Sequence, residues 1–88
     1  MDYHDPGLRR FEEDITEMVN YFGLDEKNVE VEFYIPRTQV ILVERVQRWR
    51  FRIHINVQEK RIIAVRQIES DAPAMQPEAL SKYKVFMK

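Results

Sequence analysis

The chain has 88 residues, of which 44% are hydrophobic and 33% are charged, and its net charge is −1. This composition is typical of one small folded domain and excludes a disordered chain. There is no cysteine, which excludes disulfides, thiolate metal sites and thiol nucleophiles. The longest purely apolar run, Val40–Val43, is far shorter than the roughly 20 residues that span a bilayer, and the N-terminus has no apolar segment typical of a secretory signal. We therefore expect a single water-soluble, cytoplasmic domain over residues 1–88.

The first predicted element is an amphipathic helix over residues 5–23. Asp5 can accept hydrogen bonds from the first free backbone N–H groups, and Pro6 suits the first helical position. Gly23 can end the helix in a left-handed conformation. Apolar residues follow one another at steps of three and four, which places them on one face of the helix: Leu8, Phe11, Ile15, Met18, Val19 and Phe22.

Residues 29–69 are predicted to form antiparallel strands. The first strand, residues 29–35, alternates apolar residues with Glu30, Glu32 and Tyr34, and it ends at Pro36. Residues 39–57 form either one long bent strand or two strands, because nothing near Gln47 favours a turn. Residues 58–60 are predicted to form a hairpin loop, and residues 61–69 the last strand.

The C-terminal part of the chain allows two interpretations. Residues 70–77 contain two prolines and predict a loop. In residues 78–88, Leu80, Tyr83 and Met87 suit a helix, whereas the alternation of Tyr83, Val85 and Met87 with lysines suits an edge strand. The helix is the favoured interpretation.

These elements predict an α+β domain. An N-terminal amphipathic helix packs on a three- or four-stranded antiparallel meander, with a short C-terminal helix or edge strand. The expected core residues are Phe11, Ile15, Met18, Phe22, Val31, Phe33, Phe51, Ile53, Ile55 and Val57.

Residues that could support catalysis are sparse. Gly7 and Gly23 both have structural roles, so no glycine-rich phosphate loop can be drawn. The two serines lie near the C-terminus and outside any nucleophile-elbow pattern. His4 and His54 are far apart in the sequence and form no metal-binding motif. We therefore expect no enzyme, no metal site and no cofactor, and no small-molecule substrate is evident.

One strand face is expected to be basic and to offer phosphate-binding residues. The members of this basic row are Arg48, Arg50, Arg52, His54 and Arg61. Arginine side chains match phosphate oxygens, so the row could bind nucleic acid in a salt-sensitive manner. The favoured alternative is that Glu30 and Glu32 neutralise the row through cross-strand pairs, if their strand is its neighbour. The acidic sequence pI of about 6.1 also argues against a nucleic-acid module.

The charge is distributed unevenly along the chain. Residues 1–34 carry three basic against ten acidic residues, a net charge of −7, and residues 35–88 carry eleven against five, a net charge of +6. Either the fold has a bipolar surface that binds an anionic partner, or the two halves neutralise each other. The second interpretation is favoured.

The strands at residues 39–46 and 61–69 are apolar on both faces. One helix and a short tail cannot cover both faces of such a sheet, so either the terminal elements lie on opposite faces or a second chain covers the remainder. The expected partner-binding residues are Ile41, Val43, Ile63 and Val65. We therefore expect a small non-catalytic interaction module that self-associates or binds a protein partner through its sheet. Nucleic-acid binding is the alternative, and no membrane association is expected.

Overall fold

The computed structural model describes residues 6–68 and 80–87. The elements are α1 (Pro6–Tyr21), a 3₁₀ turn (Glu26–Asn28), β1 (Val29–Ile35), β2 (Gln39–Val46), β3 (Trp49–Asn56), β4 (Arg61–Ile68) and α2 (Ser81–Lys84). The four strands are antiparallel and lie in the order β1-β2-β3-β4, which is a single meander. The predicted α+β class, with its N-terminal helix, is therefore confirmed. Neither described helix has the length and apolar character needed to cross a membrane.

The structure decides between the alternatives that the sequence left open. Residues 39–57 form two strands, joined by a tight turn at Gln47 and Arg48. Gln47 has a left-handed φ of 57°, which allows the reversal without a glycine. The C-terminal segment forms the short helix α2. The predicted cap at Asp5 and the predicted loop at residues 70–77 lie outside the described residues.

The chain leaves α1 through Gly23, as the sequence predicts. Gly23 has a φ of 65°, and its N–H donates to the carbonyl oxygen of Asn20 at 3.3 Å. The N–H of Leu24 donates to the carbonyl oxygen of Val19 at 2.9 Å. These two bonds satisfy carbonyl groups at the end of the helix, and both Leu24 and Val19 are buried in the core. The helix end therefore also directs the chain back to the sheet.

The core lies between one face of the sheet and both helices. Met18 of α1 and Phe22, directly after α1, pack on this face, and Tyr83 of α2 packs beside them. The rings of Phe22 and Phe86 meet at a centroid distance of 4.9 Å. Both terminal elements therefore cover the same face, and an arrangement with one on each face is excluded for the described residues. The fully buried side chains of the sheet are Val40, Leu42, Glu44, Phe51, Ile53, Ile55 and Ile62.

A β-bulge in β1 reverses the predicted alternation of that strand. The register with β2 shifts between Val31 and Phe33, so Glu32 is the extra residue. Tyr34 consequently turns to the helix side, where its ring packs edge-to-face on Phe11 at 4.9 Å. Phe33 turns to the opposite side and is 45% exposed, and Val31, in this edge strand, is 36% exposed. The prediction that Val31 and Phe33 belong to the core is therefore wrong.

A buried carboxylate links three parts of the chain. Glu44 lies in β2 on the helix side of the sheet and is fully buried. One of its oxygens accepts a hydrogen bond from the Tyr83 hydroxyl and lies 3.0 Å from the Lys82 ammonium nitrogen. The other oxygen accepts a 2.8 Å hydrogen bond from the backbone N–H of Asp25. Burial, followed by the hydrogen bond to Glu44, raises the pKa of Tyr83 above its ordinary value, so its hydroxyl remains a donor.

We expect Tyr83→Phe to lower the free energy of unfolding by about 1–3 kcal/mol, because it removes a donor from a buried carboxylate. Urea denaturation followed by circular dichroism measures this change. Tyr21→Phe is the matched control, since Tyr21 is 47% exposed, and it should change the stability by less than about 0.5 kcal/mol. Equal effects of the two substitutions would show that the Glu44 contact contributes nothing specific.

Tyr34 forms a second polar link between α1 and the sheet. Its hydroxyl donates to Oδ2 of Asp14 at 2.7 Å, and the backbone N–H of Arg37 donates to the same oxygen at 3.2 Å. Burial and this hydrogen bond raise the pKa of Tyr34 to about 12, from an ordinary value of 10.0. The folded protein therefore holds the Tyr34 proton more strongly than the unfolded chain does.

This raised pKa predicts a loss of stability at alkaline pH. The contribution of Tyr34 is fully present below pH 10.0 and is lost as the pH rises towards about 12. We therefore expect the stability advantage of the native chain over Tyr34→Phe to shrink between these two pH values. Urea denaturation of both proteins at intervals across this range measures the difference. A difference that does not change with pH would contradict the raised pKa.

Candidate functional site

The sheet has a second face, opposite α1 and α2, which we call the open face. Among residues 6–68 and 80–87, no helix packs on it, because both helices belong to the core on the other side. The strand register places the following residues on the open face: Glu30, Phe33, Ile35, Ile41, Val43, Arg45, Arg50, Arg52, His54, Ala64 and Arg66. This face is therefore a candidate surface on which the described residues could bind a partner.

The register arranges the open face in rows that run across all four strands. The charged row consists of Glu30, Val43, Arg52 and Arg66, one residue from each strand in order. The Phe33 row consists of Phe33, Ile41, His54 and Ala64 in the same order. The face therefore changes from acidic at β1 to basic at β3 and β4 in one row, and from large to small side chains in the next.

Two ion pairs connect β1 with β3 across the charged row. Nε of Arg52 lies 2.7 Å from Oε1 of Glu32, and its Nη2 donates to Oε2 at 3.1 Å. Arg50 lies 3.7 Å from Glu30. The predicted glutamate–arginine pairing is thus present, but β1 and β3 are not neighbours, because β2 lies between them. The arginine side chains must therefore extend over β2, and Val43 in this position is only 4% exposed.

These pairs also account for much of the charge asymmetry along the chain. A third pair, between Lys60 and Glu17 at 3.2 Å, again joins the basic half to the acidic half. The interpretation in which the two halves neutralise each other in the fold therefore agrees with the described ion pairs.

The structure does not bring the five predicted phosphate-binding residues together. Arg48 and Arg50 lie at the β2–β3 turn, whereas Arg52 contacts Glu32. His54 lies in the Phe33 row. Arg61 lies at the opposite end of the sheet, with its Nη2 3.3 Å from Glu59. The five residues consequently do not form one continuous basic row.

The four predicted partner-binding residues are also divided. Ile41 and Val43 lie on the open face. Val65 pairs with Ile53 and packs against the core, so it lies on the helix side. Ile63 lies at a register shift in β4 and is 49% exposed. Sequence alternation alone could not locate this shift, because a bulge leaves no distinct signal in an apolar run.

A surface cleft of about 520 Å³ lies at the end of the open face next to the β2–β3 turn. We call it the basic cleft; its charged lining consists of Lys27, Glu30, Arg45, Arg48 and Arg50. Lys27 and Arg45 are not among the residues predicted from the sequence to bind phosphate. Arg45 could have been found from the turn, because a two-residue loop at Gln47 and Arg48 places Arg45 opposite Arg50. Lys27 reaches the cleft from the 3₁₀ turn, which only the tertiary structure shows.

Comparisons with known proteins were made at three levels. No family model, no curated protein and no solved structure matches the chain.

Both side chains of the Arg52–Glu32 pair are partly exposed to solvent, so we expect the contribution of this pair to stability to be small. Solvent screens such pairs, and they typically contribute about 0.2–1 kcal/mol. A double-mutant cycle of Arg52→Gln and Glu32→Gln, measured by urea denaturation, gives this coupling directly. A coupling several times larger would mean that the pair holds β1 in place over Val43 and is more than a surface contact.

Proposed function

We propose that the chain is a small non-catalytic interaction module that self-associates through the open face. The observation that carries this proposal is the set of exposed apolar side chains on a sheet face that no described helix covers. Phe33 and Ile35 are 45% and 40% exposed. Apolar patches of several hundred Å² on a protein surface usually mark an interface.

The charged row supports a second copy of the chain as the partner. Homodimers usually have a two-fold axis, and an axis parallel to the strands between two facing sheets places β1 of each copy over β4 of the other. Glu30 of one copy then faces Arg66 of the other, because both lie in the charged row. The contact joins opposite charges twice in each dimer.

The Phe33 row supports the same arrangement through side-chain size. The axis that pairs Glu30 with Arg66 also places Phe33 of one copy over Ala64 of the other. A large side chain opposite a small one allows two sheets to interdigitate without a void. In these two rows, charge and shape are therefore both self-complementary under one symmetry operation.

The size of the open face indicates a weak dimer. Strands of this length measure about 25 Å, and four of them span about 19 Å, so the flat footprint is roughly 500 Å² per copy. Two copies would bury about 1,000 Å² in total, which is close to the lower limit for a specific interface. We therefore expect dissociation constants in the range of about 10⁻⁵–10⁻⁴ M.

Nucleic-acid binding, the alternative from the sequence, has less support. A duplex requires several cations along a continuous track. The Arg52–Glu32 and Arg61–Glu59 contacts place carboxylates within the expected row. Binding of duplex DNA is therefore not the function that the geometry favours.

We expect Phe33→Lys to weaken self-association by at least about tenfold, because it would bury a charge against Ala64 of the other copy. Sedimentation velocity over a series of concentrations from about 10⁻⁵ to 10⁻³ M measures the monomer–dimer equilibrium. Val85→Lys is the matched control, since it adds the same charge at an apolar residue that is 64% exposed and lies beside α2. It should leave the equilibrium unchanged.

A native chain that remains monomeric throughout this range would refute self-association. Equal weakening by the Phe33 and Val85 substitutions would show that the chain associates without using the open face. A charge exchange provides a further check. Glu30→Lys should weaken the dimer, and Arg66→Glu in the same chain should restore it in part.

A further inference from the structure

The basic cleft is lined mainly by cations. Among the described residues, four cations line it: Lys27, Arg45, Arg48 and Arg50. Glu30 is the one carboxylate among the described lining residues, and it lies 3.7 Å from Arg50.

The strand register places like charges opposite each other at this cleft. Arg45 of β2 is directly paired with Arg50 of β3, and both line the cleft. Like charges in this position destabilise a sheet. An anion that lies between the two guanidinium groups would be attracted by both of them.

We propose that the basic cleft binds a small phosphate-bearing ligand. Arginine presents a planar set of donors that matches two oxygens of a phosphate group, and lysine adds a compact positive charge. Arg45 and Arg50 come from neighbouring strands, Arg48 from the turn that joins them, and Lys27 from the 3₁₀ turn. Two strands, the turn between them and the 3₁₀ turn thus direct cations to one cleft of about 520 Å³, a volume within the range of small-molecule sites.

The surroundings of the cleft favour a short anion over a nucleic acid. The Arg52–Glu32 pair introduces a carboxylate next to the cleft along β3, so the basic surface does not continue over the open face. None of the described lining residues is aromatic, so the lining offers no side chain on which a base could stack. The cleft therefore recognises phosphate groups through charge and hydrogen bonds.

Isothermal titration of the full chain with inorganic tripolyphosphate, at about 0.15 M salt, tests this proposal. We expect saturable binding of one tripolyphosphate per chain. The double variant Arg45→Gln/Arg48→Gln should bind at least about tenfold more weakly for each arginine removed. It should remain folded, because removal of Arg45 relieves the repulsion with Arg50.

The matched control is the double variant Arg9→Gln/Arg10→Gln, which removes the same charge from α1, outside the cleft and the open face, and should bind like the native chain. Tripolyphosphate should also raise the melting temperature of the native chain and of this control, but not that of the cleft variant. A nucleoside triphosphate tested in parallel shows whether a base adds affinity. If the nucleoside triphosphate binds as tightly as tripolyphosphate or more tightly, the result supports phosphate binding in the cleft.

Three outcomes would overturn the proposal. The first is no binding of tripolyphosphate at millimolar concentration, and the second is equal weakening in the cleft and control variants. The third is binding of a DNA duplex without binding of tripolyphosphate, which would identify a nucleic-acid surface instead. None of these outcomes depends on the dimer, because the titration is performed below the concentrations at which self-association is expected.

Discussion

The arrangement of this domain depends on one buried carboxylate. Glu44 lies within the sheet on its helix side, where a charge is costly unless hydrogen bonds and an opposite charge compensate for it. Tyr83 and Lys82 supply these from α2, and the backbone of Asp25 supplies a further donor from the segment that follows α1. Because the carboxylate is satisfied only when these segments converge, Glu44 specifies where both ends of the described chain meet the sheet.

That convergence has a consequence for the rest of the surface. Both helices pack on the face of the sheet that carries Glu44. The opposite face therefore has no described helix to cover it. The bulge at Glu32 then adds Phe33 to this uncovered side and brings Tyr34 into contact with α1. One extra residue in an edge strand thus strengthens the core and, at the same time, produces the apolar part of the open face.

The same strand order determines where the charged side chains lie and which of them form ion pairs. The acidic β1 lies at one edge of the sheet, and the basic strands β3 and β4 lie on the other side of β2. Arg52 reaches across β2 to Glu32 and is compensated there. Arg45 and Arg50 face each other at the end of the sheet, where Glu30 is the one carboxylate among the described lining residues. Cationic side chains therefore gather next to the β2–β3 turn, whereas Arg52, nearer the middle of β3, is paired with Glu32.

The amino-acid sequence alone determined the fold class, the helix end at Gly23 and the helix-facing side of β3, because each depends on local spacing or on one residue type. The buried side chains Phe51, Ile53 and Ile55 follow directly from strict alternation. The sequence did not determine the bulges at Glu32 and near Ile63. Every side chain beyond a bulge changes to the other face of the sheet. The sequence also did not determine the role of Glu44 or the place of Lys27 in the basic cleft. Both roles depend on residues that are distant in the chain and become neighbours only when the hydrophobic core brings the helices and the sheet together.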